Sequence, residues 1–226
     1  MNKSIILLSG GLDSLVALGY SIKYTDYNVN LALTFDYGQK SVNSEIWASR
    51  KIAEYYNIDH KVIKLDWLNE ITKTGLVENI DIEEADYCTD RSASAVWVPN
   101  RNSLFLNIAA SYCDAQGYNY IIFGANKDEG QTFSDNTEEF RAQISKCFEY
   151  STQVKPTVVA PLINYTKNDI VNIAVRDSMP LELVRSCYYN EIGHCGKCES
   201  CYRLRKALEF NNCKDYLKIL FKNDEN

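Results

Sequence analysis

The sequence predicts an α/β protein: a Rossmann-like parallel sheet covered on both faces by helices, with a C-terminal helical region that carries a cysteine cluster. Three observations predict it. Short apolar runs alternate with segments whose apolar residues recur at helical spacing. The runs are continuous, as strands buried on both faces require, and four of the eight cysteines fall between positions 187 and 201.

In chain order, residues 4–8 (SIILL) form a buried strand and residues 12–23 a helix. Residues 29–35 give a second strand, and residues 42–56 a helix with Ile46, Ala53 and Tyr56 on one face. A strand over 60–65 follows, then a polar stretch over 69–95 whose Asp81, Glu83, Glu84 and Asp86 mark a solvated acidic loop. Residues 103–115 place Leu104, Phe105, Ile108, Ala109 and Tyr112 at helical spacing, and 120–123 (YIIF) is again a strand. An amphipathic helix over 138–150, an extended segment over 157–162 and a helix from Lys167, capped by Thr166, complete the pattern before the helical last third. The 226 residues thus divide into an α/β domain over 1–180 and a cysteine-bearing region over 181–226 packed on it. Ligands of such sheets bind beyond the carboxyl ends of the strands, so motifs immediately after strands are the candidates for chemistry.

Composition narrows the function classes. Hydrophobic residues make up 46% and charged residues 24%, ordinary for a globular protein, which excludes disorder and collagen-like structure. Apolar runs such as 5–8 fall far short of the roughly 18 residues of a membrane span, and Lys3 precedes no signal-peptide core, so the expectation is a cytoplasmic protein without a membrane partner. A net charge of −6 disfavours nucleic acid and points to a small-molecule ligand.

The first motif is Ser9-Gly10-Gly11-Leu12-Asp13-Ser14, between the first strand and first helix. Its glycines let the backbone turn tightly and approach an anion, the helix adds its positive end, and Ser9 and Ser14 supply hydroxyl donors. This is a phosphate cradle. Asp13 either bridges to phosphate through Mg²⁺ or caps the helix. Neither G-x-x-x-x-G-K-[ST] nor G-x-G-x-x-G occurs in the chain. The motif resembles that of the PP-loop ATP pyrophosphatases, S-G-G-x-D-S, which implies the adenine nucleotide alpha hydrolase-like type of sheet and ATP cleaved between its α- and β-phosphates. After the second strand, Phe35, Tyr37 and Gly38 in T-F-D-Y-G-Q lie beside this loop, where the aromatics either border an adenine or pack in the core.

Cys187, Cys195, Cys198 and Cys201 give the spacing C-x7-C-x2-C-x2-C, a closed tetrahedral sulfur site suited to structural Zn²⁺. An iron–sulfur cluster is the main competitor, and His194 is an alternative ligand. His60 reads as plain structure. Three further segments are Val98-Pro99-Asn100-Arg101-Asn102, Gly124-Ala125-Asn126-Lys127-Asp128-Glu129, and Pro161-Leu162 with Lys167. Arg101 can grip a phosphate or carboxylate bidentately and Lys167 offers a point charge, while Asn126, Asp128 and Glu129 suit Mg²⁺ or the donors of a heterocycle.

Together with T-F-S-D-N at 132–136 and C-G-K-C-E-S-C at 195–201, these segments resemble the QueC family of 7-cyano-7-deazaguanine synthases, over nearly the whole chain. The resemblance implies a ligase of queuosine-type biosynthesis that activates 7-carboxy-7-deazaguanine with ATP and aminates it with ammonia. It implies Ser9 to Ser14 as the pyrophosphate cradle, with Asp13, Arg101 and Lys167 catalytic, and Arg101, Asn102, Asn126, Asp128 and Glu129 on the substrate. A homodimer fits the same resemblance. Two departures stand out: Lys40-Ser41 where many members have Arg-His, and Asn100 where many have glycine. Each is either divergence or the mark of a paralogue with another amine acceptor, such as a protein. A PP-loop tRNA-modifying enzyme and a non-catalytic nucleotide-binding protein remain as rivals.

Overall fold

The computed structural model describes residues 2–78, 95–189 and 193–221; the acidic stretch from Asp81 to Asp86 lies outside them. Strands β1 (Asn2–Leu7), β2 (Tyr27–Asp36), β3 (Asp59–Lys64), β4 (Tyr120–Ile122) and β5 (Thr157–Val159) form one parallel sheet in the order β3-β2-β1-β4-β5. The order reverses between β1 and β4, and a parallel sheet opens its ligand crevice at such a point.

The alternation of the strands sorts the core into two halves. Ile6, Ala32 and Ile122 face one side, against α1 (Leu12–Tyr24) and α7 (Lys167–Arg176). Ile5, Leu33 and Ile121 face the other, against α4 (Arg101–Gln116) and Phe148 of α6 (Glu138–Ser151). The remaining helices are α2 (Val42–Tyr55), α3 (Asp66–Ile71), α5 (Lys127–Gly130), α8 (Glu199–Phe210) and α9 (Lys214–Leu220). Leu181, Val184, Cys187, Cys198, Cys201 and Leu204 share the first core half with α1 and α7, so residues beyond 180 pack on the sheet's helical layer without a separate core among the described residues. No helix among the described residues is long and apolar enough to cross a membrane.

Most expected elements are present, with instructive differences at their ends. The helix expected at 103–115 begins at Arg101, because Asn100 adopts the left-handed conformation (φ 54°, ψ 26°) and delivers the chain directly into the first turn. Asparagine is among the few non-glycine residues that tolerate this region, which accounts for its exchange with glycine at this position. The extended segment expected over 157–162 pairs only through Val159; the amides of Ile163 and Tyr165 then donate to Ala160 and Leu162 in successive turns. Thr166 does cap α7: its hydroxyl accepts from the Asp169 amide at 3.3 Å, and the Asp169 carboxylate accepts from the Thr166 amide at 2.9 Å. Cys187, Cys195 and Cys198 precede α8 on an irregular segment turned by the left-handed Gly193 and Gly196, and Cys201 lies on the helix itself.

Gly10 (φ +80°) has little room: a Cβ there would sit 2.7 Å from the Ala48 Cβ and 2.9 Å from the Glu45 carbonyl oxygen. Gly117 (φ +73°) ends α4 with nothing within 4 Å of the same point. Gly10→Ala is therefore expected to cost about 2–4 kcal/mol through strain and overpacking, and Gly117→Ala about 1–2 kcal/mol through strain alone, a difference that urea-denaturation midpoints will measure.

Candidate active site

The loop leaving β1 crosses the crevice and enters α1 with its amides exposed to a ligand. Gly11 is the N-cap and no side chain caps the helix, so Asp13 is not the cap that the sequence allowed. The hydroxyls of Ser9 and Ser14 lie 3.1 Å apart; Ser9 accepts from the Gly11 amide at 3.3 Å, and Ser14 donates to the Gly11 carbonyl at 3.0 Å. These bonds fix the loop's shape, and the Gly11 N-cap brings no capping side chain to the start of α1, an arrangement that suits an anion at a helix N-terminus. Gly124 is required behind it, since a Cβ there would meet the Ser14 nitrogen at 2.9 Å.

Beside the loop, the Lys167 ammonium donates to Asp13 Oδ2 at 2.6 Å and to Glu129 Oε1 at 3.1 Å. Burial disfavours the lysine's charge, but the two carboxylates outweigh it and hold the group protonated above its ordinary range. Burial also raises Asp13, whereas for Glu129 Lys167 and Asn126 overcome the burial and lower it. Asp13 Oδ1 is buried without a hydrogen-bond partner, a carboxylate oxygen still available as an acceptor.

A cavity of about 300 Å³ extends from this group along the sheet's carboxyl edge. Ser9, Gly11, Leu12, Asp13, Ser14, Phe35, Tyr37, Arg101, Asn102, Glu129 and Lys167 all line it. Gly10, Gly38, Asn126 and Asp128 do not line it but support its walls. Gly38 is left-handed (φ +77°), and a Cβ there would strike Asn69; Asn126 caps α5 by accepting from the Glu129 amide at 3.0 Å; Asp128 accepts from the Lys167 amide at 2.8 Å. Phe35 stacks on Phe105 with centroids 3.9 Å apart, so its face belongs to the core and only the remainder meets the cavity.

Arg101 hydrogen-bonds with Tyr37 and sits in the negative fields of Asp135 and Glu45, which favour its charge while burial opposes it. Glu45 is raised by burial, although Ser41 Oγ donates to one of its oxygens at 2.5 Å and Gln39 Nε2 to the other at 2.9 Å. Ser41 therefore has a defined task, and Lys40 extends away over the Tyr189 ring, 5.3 Å from its centroid, outside the cavity lining.

The four cysteine sulfurs at 187, 195, 198 and 201 lie within 4.8 Å of one another, a set able to hold one metal ion. The Lys197 and Cys198 amides donate to the Cys195 sulfur at 3.4 and 3.3 Å, as suits a thiolate. His194 stands outside this set. Its Nε2 accepts from the Ser186 amide at 3.1 Å while Nδ1 meets the Leu220 carbonyl at 3.3 Å, and burial pushes its pKa down to about 4. His60 is likewise structural, 2.8 Å from the Thr34 hydroxyl.

Arg185, Ser186, Tyr188, Glu199 and Arg203 also line the cavity, which the sequence alone did not assign to the site. Their signal was adjacency to the cysteines. The Arg185 amide donates to the Gly10 carbonyl at 2.9 Å, and Ser186 Oγ accepts from the Leu12 amide at 3.4 Å, so the cysteine segment clasps the phosphate loop.

The chain resembles known proteins over most of its length. The model of the queuosine biosynthesis protein QueC family matches residues 3–212. The 7-cyano-7-deazaguanine synthase of Methanosarcina barkeri is 44% identical, over 95% of this chain and 97% of its own, and that of Carboxydothermus hydrogenoformans is 46% identical, over 92% and 98%. Among solved structures, the U34-tRNA thiolase NcsA from Methanococcus maripaludis matches with a TM-score of 0.52 at 17% identity, covering 97% of this chain and 70% of its own. NMN synthetase from Francisella tularensis matches at 0.50 and 17%, covering 94% and 85%. These two likenesses concern the fold.

Lys167→Met leaves Asp13 and Glu129 facing each other without their cation and is expected to destabilise the protein by about 3–5 kcal/mol near neutral pH. The variant's carboxylates then have folded-state pKa values above their unfolded ones, so their protonated forms are favoured by folding. The deficit relative to wild type shrinks as pH falls toward 4 and grows as pH rises, which denaturation at pH 4.5 and 7.5 will test.

Proposed function

The chain belongs to the QueC family, and from that membership we propose that it is an ATP-dependent carbon–nitrogen ligase converting 7-carboxy-7-deazaguanine and ammonia to 7-cyano-7-deazaguanine. The observation that supports this most directly is the single cavity in which an uncapped helix N-terminus, the Asp13–Lys167–Glu129 group and Arg101 meet.

A carboxylate resists substitution because oxide is a poor leaving group. Attack of its oxygen on the α-phosphorus of ATP expels pyrophosphate and gives an acyl adenylate, from which ammonia displaces AMP to leave an amide. The amide oxygen repeats the attack on a second ATP, and loss of AMP with proton release leaves the nitrile. Both halves develop charge at the same place. The Ser9 to Ser14 loop holds the pyrophosphate through its hydroxyls and the first amides of α1. Lys167, kept cationic by its two carboxylates, and Arg101, a guanidinium that stays charged at any working pH, offset the charge at the α-phosphate and the reacting carboxylate. Phe35 and Tyr37 bound the adenine side, and Asn102, Asn126, Asp128 and Glu129 hold the substrate side in shape. Catalysis on this reading is positioning and electrostatics, without a covalent nucleophile.

The unpartnered Asp13 Oδ1 suits Mg²⁺, a hard cation with oxygen ligands that would neutralise phosphate charge when bound. The four sulfurs suit Zn²⁺ in a closed site; bound there, the ion would have no open position and would help hold Ser186 and Arg185 against the phosphate loop. A cytoplasmic homodimer acting on small molecules completes the proposal. The rival paralogue with another amine acceptor rested on Asn100 and Lys40-Ser41. Asn100 fills a left-handed position and Lys40 lies outside the cavity lining, which supports ammonia over that rival, while Ser41 reaches the lining only through its bond to Glu45.

Incubation of the metal-loaded protein with 7-carboxy-7-deazaguanine, Mg-ATP and ammonium is expected to yield about two AMP per nitrile by mass spectrometry, following the two dehydrations. AMP without nitrile would favour another acceptor. Elemental analysis is expected to give zinc at one ion per chain, with no visible absorption from an iron–sulfur cluster.

A further inference from the structure

The T-F-S-D-N segment has no role in the scheme above, yet three of its residues, Phe133, Asp135 and Asn136, line the cavity. Trp97 lines it with them. The rings of Trp97 and Phe133 lie nearly parallel, 18° apart with centroids separated by 6.1 Å, and Trp97 remains 39% exposed. A large aromatic side chain left open at a cavity offers a face on which a flat heterocycle stacks. The Asn136 amide donates to the Phe133 carbonyl at 3.0 Å, and its side chain donates to Asp135 Oδ1 at 3.0 Å, so one short turn holds ring and carboxylate in fixed relation.

We infer that Asp135, with Trp97 and Phe133, forms the subsite that reads the deazaguanine ring of the acid substrate. This rests on the function proposed above. A 7-deazaguanine presents N1–H and the 2-amino group as adjacent donors, which match the two oxygens of one carboxylate; adenine presents a donor beside an acceptor and does not. Carboxylates accept only, so Asp135 discriminates between the two rings. The other cavity carboxylates are already engaged: Asp13 and Glu129 with Lys167, Glu45 with Ser41 and Gln39, and Glu199 with Arg203 at 2.6 Å. Asp135's direct side-chain partner is the neutral Asn136 amide. Around the ring the 7-carboxylate, O6, N1–H and 2-amino group follow in order, and in the wall Arg101 faces Asp135. The guanidinium thus meets the carboxylate and O6 side while Asp135 meets the two donors beyond.

The test is calorimetric binding of 7-cyano-7-deazaguanine, and of the same ring lacking its 2-amino group, to wild type, Asp135→Asn and Trp97→Ala, with ATP affinity measured alongside. Asp135→Asn keeps an oxygen to accept from Asn136 but turns a donor toward the ring. It is expected to weaken binding of the complete ring by about 10- to 100-fold, to abolish the preference for the 2-amino group and to leave ATP affinity unchanged. Trp97→Ala is expected to weaken both rings equally and keep the preference. Retention of the wild-type preference by Asp135→Asn overturns the inference while leaving the ligase function standing, as does a loss of ATP affinity without loss of ring affinity. Failure of wild type to bind either ring overturns the inference and the function together.

Discussion

One buried ammonium sets the geometry of the whole crevice. Lys167 begins α7, Asp13 lies in the first turn of α1 and Glu129 in the short helix after β4, so a single side chain draws together the carboxyl ends of separate strands. The interaction is economical because each partner is placed independently. The Thr166–Asp169 box and the Asp128 carboxylate fix the amide end of α7; Asn126 fixes α5; the Gly10 turn fixes α1. Desolvating a lysine is costly, and here the cost is met only because two carboxylates converge on it. The same charge then stands ready for an anionic ligand.

The cysteine region is more than an appendage for stability. Its first cysteine follows directly on Arg185 and Ser186, whose bonds to Gly10 and Leu12 close the outer side of the phosphate loop. His194 holds the Ser186 amide from beneath, and Glu199 and Arg203 bring α8 into the cavity wall. A metal held by these four sulfurs would act through geometry, setting where the loop's neighbours stand without touching the cavity itself.

Much of this was legible in the sequence, for identifiable reasons. The parallel sheet followed from continuous apolar runs, and the motifs placed just after strands pointed to the crevice at the sheet's carboxyl edge. The cysteine quartet was legible from spacing, because close two-residue gaps have few other purposes. Asp13 shows the limit: its residue type allowed a cap or a Mg²⁺ bridge to phosphate, and only the fold brings Lys167, 154 residues away, onto its carboxylate. Phe35 shows another, since an aromatic at a strand end reads the same whether it faces ligand or stacks on Phe105. Trp97, Arg203 and Asp135 entered the site through tertiary packing, which no local pattern encodes. Asn100 and Ser41, conspicuous as departures, became ordinary once the backbone angle of one and the carboxylate partner of the other were known.

The clasp between Ser186 and Leu12 spans 174 positions of the chain. During synthesis the glycine loop emerges well before the cysteine segment that supplies its outer wall. A nascent chain can form β1, α1 and β2 early, but its cradle stays open on one side until the cysteine segment arrives. The cavity is therefore finished only once the cysteine segment has been made. A chain cut short of that segment lacks the outer wall of the glycine loop, so the clasp ties completion of the cavity to synthesis of the segment that closes it.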